Sequence, residues 1–274
     1  MHAARSLHHL RSEIEEHLRG RILSPFNYRD RNVFDLVSTG VPEMDARIGG
    51  LPRGALTEIY GPACSGRTSV LLSALAARTS NSEVCALVDA RDSFDPAAAS
   101  ASGVQLDRLL WVRCQNVDQS LRATDLLIQS GGFGMVAVDL SDVSARLARQ
   151  VPLHVWFRFR RAVEDTSTIL LLLEQETNAK TCASLVLRLQ SGPAQWSETQ
   201  SGASSAAAHC SHTLLLHGFD VSTEVVRSRI QTESVADPES QPSTNSTNHS
   251  ESSQKATLVV LKANRFTQSA RREG

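Results

Sequence analysis

Long apolar stretches are missing from this chain. The run Ile169 to Leu173 falls far short of the roughly 20 residues that cross a bilayer, so no membrane span is expected. The first residues carry His8, His9, Arg11 and Glu13 where a secretory signal would carry an apolar segment. The five cysteines include no C-x-x-C pair, which suits a reducing, cytoplasmic compartment better than a disulfide framework. Charge of one sign is also lacking: a net charge of -1 provides no global attraction to nucleic acid, so any such contact must come from a local patch. His209, Cys210 and His212 are ligand-capable types close together, but they lie in a Ser/Ala-rich stretch without the second pair that a zinc site needs.

What the chain does have is a glycine loop. Gly61-Pro62-Ala63-Cys64-Ser65-Gly66-Arg67-Thr68 meets the pattern G-x-x-x-x-G-K-[ST] everywhere except at Arg67, where lysine belongs. The strand-like run Leu56 to Tyr60 precedes it, and a helix-like run with Val70, Leu71, Leu72, Leu75 and Ala76 follows Ser69. Strand, loop and helix in that order cradle phosphates. Glycines let the main chain approach the oxygens, the helix N-terminus favours negative charge, and the Thr68 hydroxyl can ligate Mg²⁺. Arg67 keeps the positive charge but replaces a compact ammonium by a wide planar guanidinium. The alternative is a glycine-bearing turn between strand and helix that holds no ligand.

The residues around the loop carry a wider pattern. Ser38-Thr39-Gly40, Met44-Asp45, Gly49-Gly50-Leu51-Pro52 and Gly54 lead into Glu58-Ile59-Tyr60-Gly61-Pro62. Leu87-Val88-Asp89-Ala90, Asp95-Pro96, Gly103-Val104, Leu109-Leu110, Val136-Ala137-Val138-Asp139 and Leu170 to Gln175 follow. In this order they resemble the RecA recombinases over residues 37 to 190. The resemblance implies an α/β fold with a mostly parallel central sheet, helices on both faces and an antiparallel edge near the C-terminus. It also implies ATP or ADP with Mg²⁺ as cofactor, held by Gly61 to Ser69, with Thr68 and Asp139 on the metal and Gln175 sensing the terminal phosphate. An ordinary helix cap and a polar strand end are the alternatives for Asp139 and Gln175.

Several departures from that family bear on activity. Where its ATPases place a catalytic glutamate after Asp89-Ala90, this chain has Arg91, and a cation cannot activate water. Asp92 is adjacent but shorter and displaced by a residue. Losing a general base costs about 10²–10⁴-fold in rate. The two DNA-binding loops of the recombinases are also curtailed, since Asp139 runs almost directly into the helical segment Val151 to Val163, and only Glu176 to Ser184 separates Gln175 from the next strand. A degraded ATP site with trimmed loops resembles the ImuA and SulA-like branch, as does the run Leu106 to Arg113 followed by Leu121-Arg122-Ala123 to Ser130-Gly131. That branch implies an accessory protein of the DNA-damage response or translesion synthesis, without recombinase or catalytic activity. Its partners would be a RecA-type recombinase or translesion polymerase subunits. A working RecA- or RadA-type ATPase and a SulA-like division inhibitor are the other readings.

Patterning divides the chain into segments. Residues 1–24 hold an amphipathic helix with Leu7, Leu10, Ile14, Leu18 and Ile22 on one stripe and Pro25 beyond it; residues 33–190 form the core. Residues 191–212 read as flexible, 213–232 as a pair of strands, 233–256 as a disordered Ser/Thr/Asn-rich insertion, and 257–274 as a last strand with a basic tail. Lys262 and Arg265 in that tail fall near positions where the family reaches a neighbouring subunit's nucleotide. Arg146, Arg149, Arg158, Arg160 and Arg161 interleave with Trp156, Phe157 and Phe159. This is the candidate for a weak contact with single-stranded DNA, and the same spacing suits a helix with aromatics inward and arginines outward.

Overall fold

The computed structural model describes residues 34–198, 214–230 and 257–262. The amphipathic segment 1–24, the His209 to His212 cluster, the insertion 233–256 and Arg265 lie outside these residues.

Among the described residues, ten strands and six α-helices follow one another. A small antiparallel pair, β1 (Leu36–Val37) and β2 (Leu51–Pro52), brackets α1 (Pro42–Ile48). Pro42 sits at the start of α1, where a missing N–H costs nothing, and Gly49 closes it in the left-handed conformation. The main run is β3 (Ala55–Tyr60), α2 (Arg67–Ser80), β4 (Cys85–Asp89), α3 (Pro96–Ala101), β5 (Leu109–Arg113), α4 (Val117–Ser130) and β6 (Met135–Asp139). Then come α5 (Ala145–Ala148), α6 (Leu153–Val163), β7 (Ile169–Glu174), β8 (Leu185–Glu198), β9 (Leu214–Ser228) and β10 (Thr257–Lys262). Eight strands make one sheet in the order β10-β9-β8-β3-β7-β6-β4-β5, parallel from β8 to β5 and antiparallel from β8 to β10. The expected α/β architecture is therefore present.

Burial on both faces explains the apolar strands. In β6 and β7 successive side chains alternate between two cores. Ala137 and Leu171 join Val70, Leu71, Ala74 and Leu75 of α2 on one side. Val136, Val138, Leu170 and Leu172 meet Ile128 of α4 and Trp156, Phe159 and Val163 of α6 on the other. Asp95 caps α3 through the Ala97 N–H and Asn116 caps α4 through the Gln119 N–H, both at 2.9 Å.

The C-terminal half differs from the sequence reading in two places. β8 continues as far as Glu198, into the segment read as flexible, and β9 is one strand where a pair was expected. Main-chain pairing between the two carries this ribbon, so Ser, Gln and Gly can occupy it without an apolar alternation to announce it. Around Gly192 and Pro193 the register shifts between Ser191 and Ala194, as expected where proline has no N–H to give the ladder. No helix among the described residues is long and apolar enough to cross a membrane.

Candidate functional site

The glycine loop joins the C-terminal end of β3, flanked by β7 and β8 near the middle of the sheet, to the N-terminus of α2. Gly66 adopts φ +89°, left-handed backbone that turns the chain into the helix, and its carbonyl accepts the N–H of Val70 at 3.0 Å. Gly61 packs so closely on β8 that an added Cβ would stand 2.3 Å from the Leu189 carbonyl oxygen. Cys64, at φ +60°, is left-handed without being glycine. The loop opens on a cavity of about 490 Å³ lined by Cys64, Ser65, Gly66, Arg67, Thr68 and Ser69, and by Ser191, Ala194 and Phe219 from the β8–β9 ribbon. Ser191 and Ala194 belong to the segment read as flexible and Phe219 to one read as strand, and neither reading gave a sign of a binding wall. Thr68, in the first turn of α2, is exposed.

Arg67 is buried, 7% exposed, and its Nη1 donates to the main-chain oxygen of Glu174 at 2.6 Å. The Gly61 N–H donates to that same oxygen at 3.3 Å, so the end of β7 is bonded to the loop at two points. Burial lowers the guanidinium's pKa from its ordinary value, while Asp139, Asp142 and Cys64 oppose the shift. Asp139 ends β6, and its Oδ1 accepts the Ser141 N–H at 2.8 Å, the geometry of a side-chain turn. Burial raises its pKa, bonds from Ser141 pull it back, and the neighbouring Asp89 and Asp142 raise it further. Gln175 donates from Nε2 to the Ser141 oxygen at 3.0 Å. Ser141 thus ties Asp139 and Gln175 together across the ends of β6 and β7. The cavity wall includes the loop, Thr68 and Ser69 but neither Asp139 nor Gln175.

Arg91 is exposed just beyond β4, with its N–H on Asp89 Oδ1 at 3.1 Å. Asp89 also accepts from the Phe94 N–H at 2.9 Å and from Trp111 Nε1 at 3.3 Å, so its carboxylate serves to hold this turn. Asp92 faces the edge strand instead of the loop. Its Oδ1 accepts Arg113 Nε at 2.6 Å, and that bond lowers its pKa.

Beneath the loop lies a polar knot to which the sequence assigned no role. Glu58 of β3 accepts the N–H groups of Asn178 and Ala179 at 2.6 and 3.0 Å and the Thr177 hydroxyl at 2.8 Å. Glu174 of β7 accepts Asn178 Nδ2 at 2.8 Å. Both glutamates are fully buried, and burial together with Glu58 pushes the Glu174 pKa up to about 9. A glutamate within an apolar strand was the available signal.

The arginine-rich stretch divides among α5 (Arg146), the turn after it (Arg149) and α6 (Arg158, Arg160 and Arg161), and Phe157 of α6 is exposed where an inward aromatic was expected. Trp156 and Phe159 are buried, whereas Arg158 pairs with Asp125 at 3.3 Å, Arg160 with Glu164 at 3.6 Å, and Arg149 Nε with Glu176 at 3.0 Å. Among the described residues no group of three or more His, Cys, Asp or Glu is arranged to hold a metal ion.

A parallel sheet with a glycine loop between its central strand and the following helix defines a phosphate-loop α/β domain. A sequence profile of the RecA N-terminal domain matches residues 6–150. The chain is 44% identical over 107 residues to Protein RecA of Psychrobacter cryohalolentis, and 43% identical over 107 residues to Protein RecA of Psychrobacter arcticus. Each match spans 38% of this chain and 30% of the relative, so less than a third of those proteins is covered. The chain belongs to the RecA family.

Proposed function

We propose that this RecA-family chain is an accessory factor of the DNA-damage response, acting in translesion synthesis, that holds a magnesium nucleotide weakly and does not hydrolyse it. The observation that carries the reading is at the position of the family's catalytic glutamate, which Arg91 occupies, while the adjacent Asp92 is bonded to Arg113 on the outer strand. The loop still suits a phosphate, because its glycines admit the main chain closely and the first N–H groups of a helix have no intrahelical partner. Main-chain N–H groups of the loop would bind the oxygens, Thr68 would take Mg²⁺, and Asp139 would support the metal through water. The metal would neutralise phosphate charge. Arg67, buried on the Glu174 carbonyl, presents no compact ammonium to the terminal phosphate, which supports weak ATP or ADP binding. A RecA-type recombinase or translesion polymerase subunits would be the partners.

A second reading, a working RecA-type ATPase, draws support from the 44% identity over 107 residues to Protein RecA of Psychrobacter cryohalolentis. Calorimetric titration with Mg²⁺-ADP and a phosphate-release assay with single-stranded DNA separate the two. The accessory reading expects a measurable but weak heat of binding and no release above the buffer rate. DNA-stimulated turnover on the order of 1 s⁻¹ or faster, typical of enzymes, would establish the ATPase instead.

A further inference from the structure

Away from the phosphate loop, cations from three elements gather around the 3₁₀ turn Lys180–Cys182. Arg227 on β9 donates from Nη1 to the Lys180 carbonyl at 2.8 Å, and Arg229, just past the strand, donates from Nη2 to the Thr181 carbonyl at 3.0 Å. Each guanidinium carries further N–H donors beyond the one given to the turn. Arg160 of α6 stands near enough to act electrostatically on Arg229 and on the Cys182 thiol. Lys180 is exposed, in the left-handed conformation at φ +47°. Gathering like charges works against folding: Arg229 has its pKa lowered first by burial and then by the repulsion of Arg160 and Arg227. Glu164 lies 3.6 Å from Arg160.

We propose that Arg160, Lys180, Arg227 and Arg229 form a docking point for a short acidic peptide segment of a partner protein. Two or three carboxylates would satisfy the forks bidentately and relieve the mutual repulsion. The surroundings favour a peptide over a nucleic acid. Glu164 and Asp165 lie just past α6, Glu224 precedes on β9 beside Arg188 at 3.6 Å, and Glu176 sits at the head of the same loop with Arg149. The positive surface therefore ends within a few residues in each direction, and a regularly charged phosphate backbone would meet carboxylates on leaving it.

Fluorescence anisotropy with a labelled ten-residue glutamate peptide and the full chain tests this. Binding is expected at low salt and should weaken as salt rises from about 50 to about 200 mM, because the contacts are ionic. Arg227→Glu with Arg229→Glu should lower affinity by about tenfold or more, whereas Arg146→Glu with Arg161→Glu, exposed arginines outside the cluster, should leave it unchanged. Arg227 and Arg229 also brace the turn. Should their variant fail to fold, Lys180→Glu, at an exposed position on the same turn, must give a loss in the same direction. No binding by the wild type, equal losses in the control, or tighter binding of a single-stranded oligonucleotide that Arg227→Glu abolishes would each overturn the proposal.

Discussion

At the scale of single residues, Arg67 decides what the phosphate loop can do. Lysine occurs in this chain at Lys180, Lys255 and Lys262, and arginine supplies the other basic side chains, so arginine at position 67 follows the chain's general preference as well as any local demand. Locally it is anchored by a bond to the Glu174 oxygen in a buried setting. An arginine withdrawn from that bond to meet a phosphate leaves a buried carbonyl with one donor fewer, a cost of about 1–3 kcal/mol. Arg67→Lys replaces the fork by an ammonium on a flexible stem. It should tighten Mg²⁺-ADP binding by about tenfold, equal to about 1.4 kcal/mol, read by calorimetry, while phosphate release stays at the buffer rate because Arg91 is untouched. Unchanged affinity would mean that the guanidinium already reaches the ligand. The loop was legible in the sequence because glycine spacing is local. The anchor was not, since Glu174 is 107 residues away and offers only a main-chain atom.

At the scale of elements, the end of β7 links two parts of the site. Its Glu174 oxygen is bonded to the phosphate loop, and its side chain meets Asn178 and Glu58, which holds the turn after Gln175. Two buried carboxyl groups side by side cannot both ionise cheaply, so Glu174 keeps its proton up to about pH 9 against an ordinary value of 4.5. The folded-state pKa is raised, so the stabilisation is complete below pH 4.5 and declines as pH climbs toward 9, where the folded protein too loses the proton. Glu174→Gln supplies an amide that donates without titrating. Its melting temperature should exceed that of the wild type by a few degrees at pH 8.5 and approach it at pH 5, in thermal scans across that range. Parallel curves for the two proteins would show that no proton is held there. The β6 and β7 strands themselves were legible as apolar runs, because burial on both faces leaves no alternative composition. The tail of β8 was not: its backbone hydrogen bonds to β9 constrain the side chains little, and Ser191 to Glu198 carries a turn-like composition that the ribbon tolerates.

For the whole molecule, the distribution of charge bears on DNA. With a net charge of -1, attraction to phosphates depends on uncommitted cations, and Arg149 and Arg158 are committed to carboxylates. The connections that bear DNA-binding loops in recombinases are brief here: Leu140 to Ser144 lies between β6 and α5, and the stretch from Gln175 to Ser184 between β7 and β8 is partly pinned by Glu58. Single-stranded DNA should therefore bind weakly, with Kd in the range of about 10⁻⁴–10⁻⁶ M typical of non-specific contacts, and should be released steeply by salt. Because both connections are short and Asp139 and Gln175 are tied to each other through Ser141 at their heads, adding ATP should leave that affinity unchanged. Anisotropy titrations of a labelled oligonucleotide with and without Mg²⁺-ATP measure both effects. Tightening of tenfold or more with ATP, or regular nucleoprotein filaments in electron micrographs, would mean that phosphate state does reach a DNA-binding surface, and would return the chain to the recombinases it resembles.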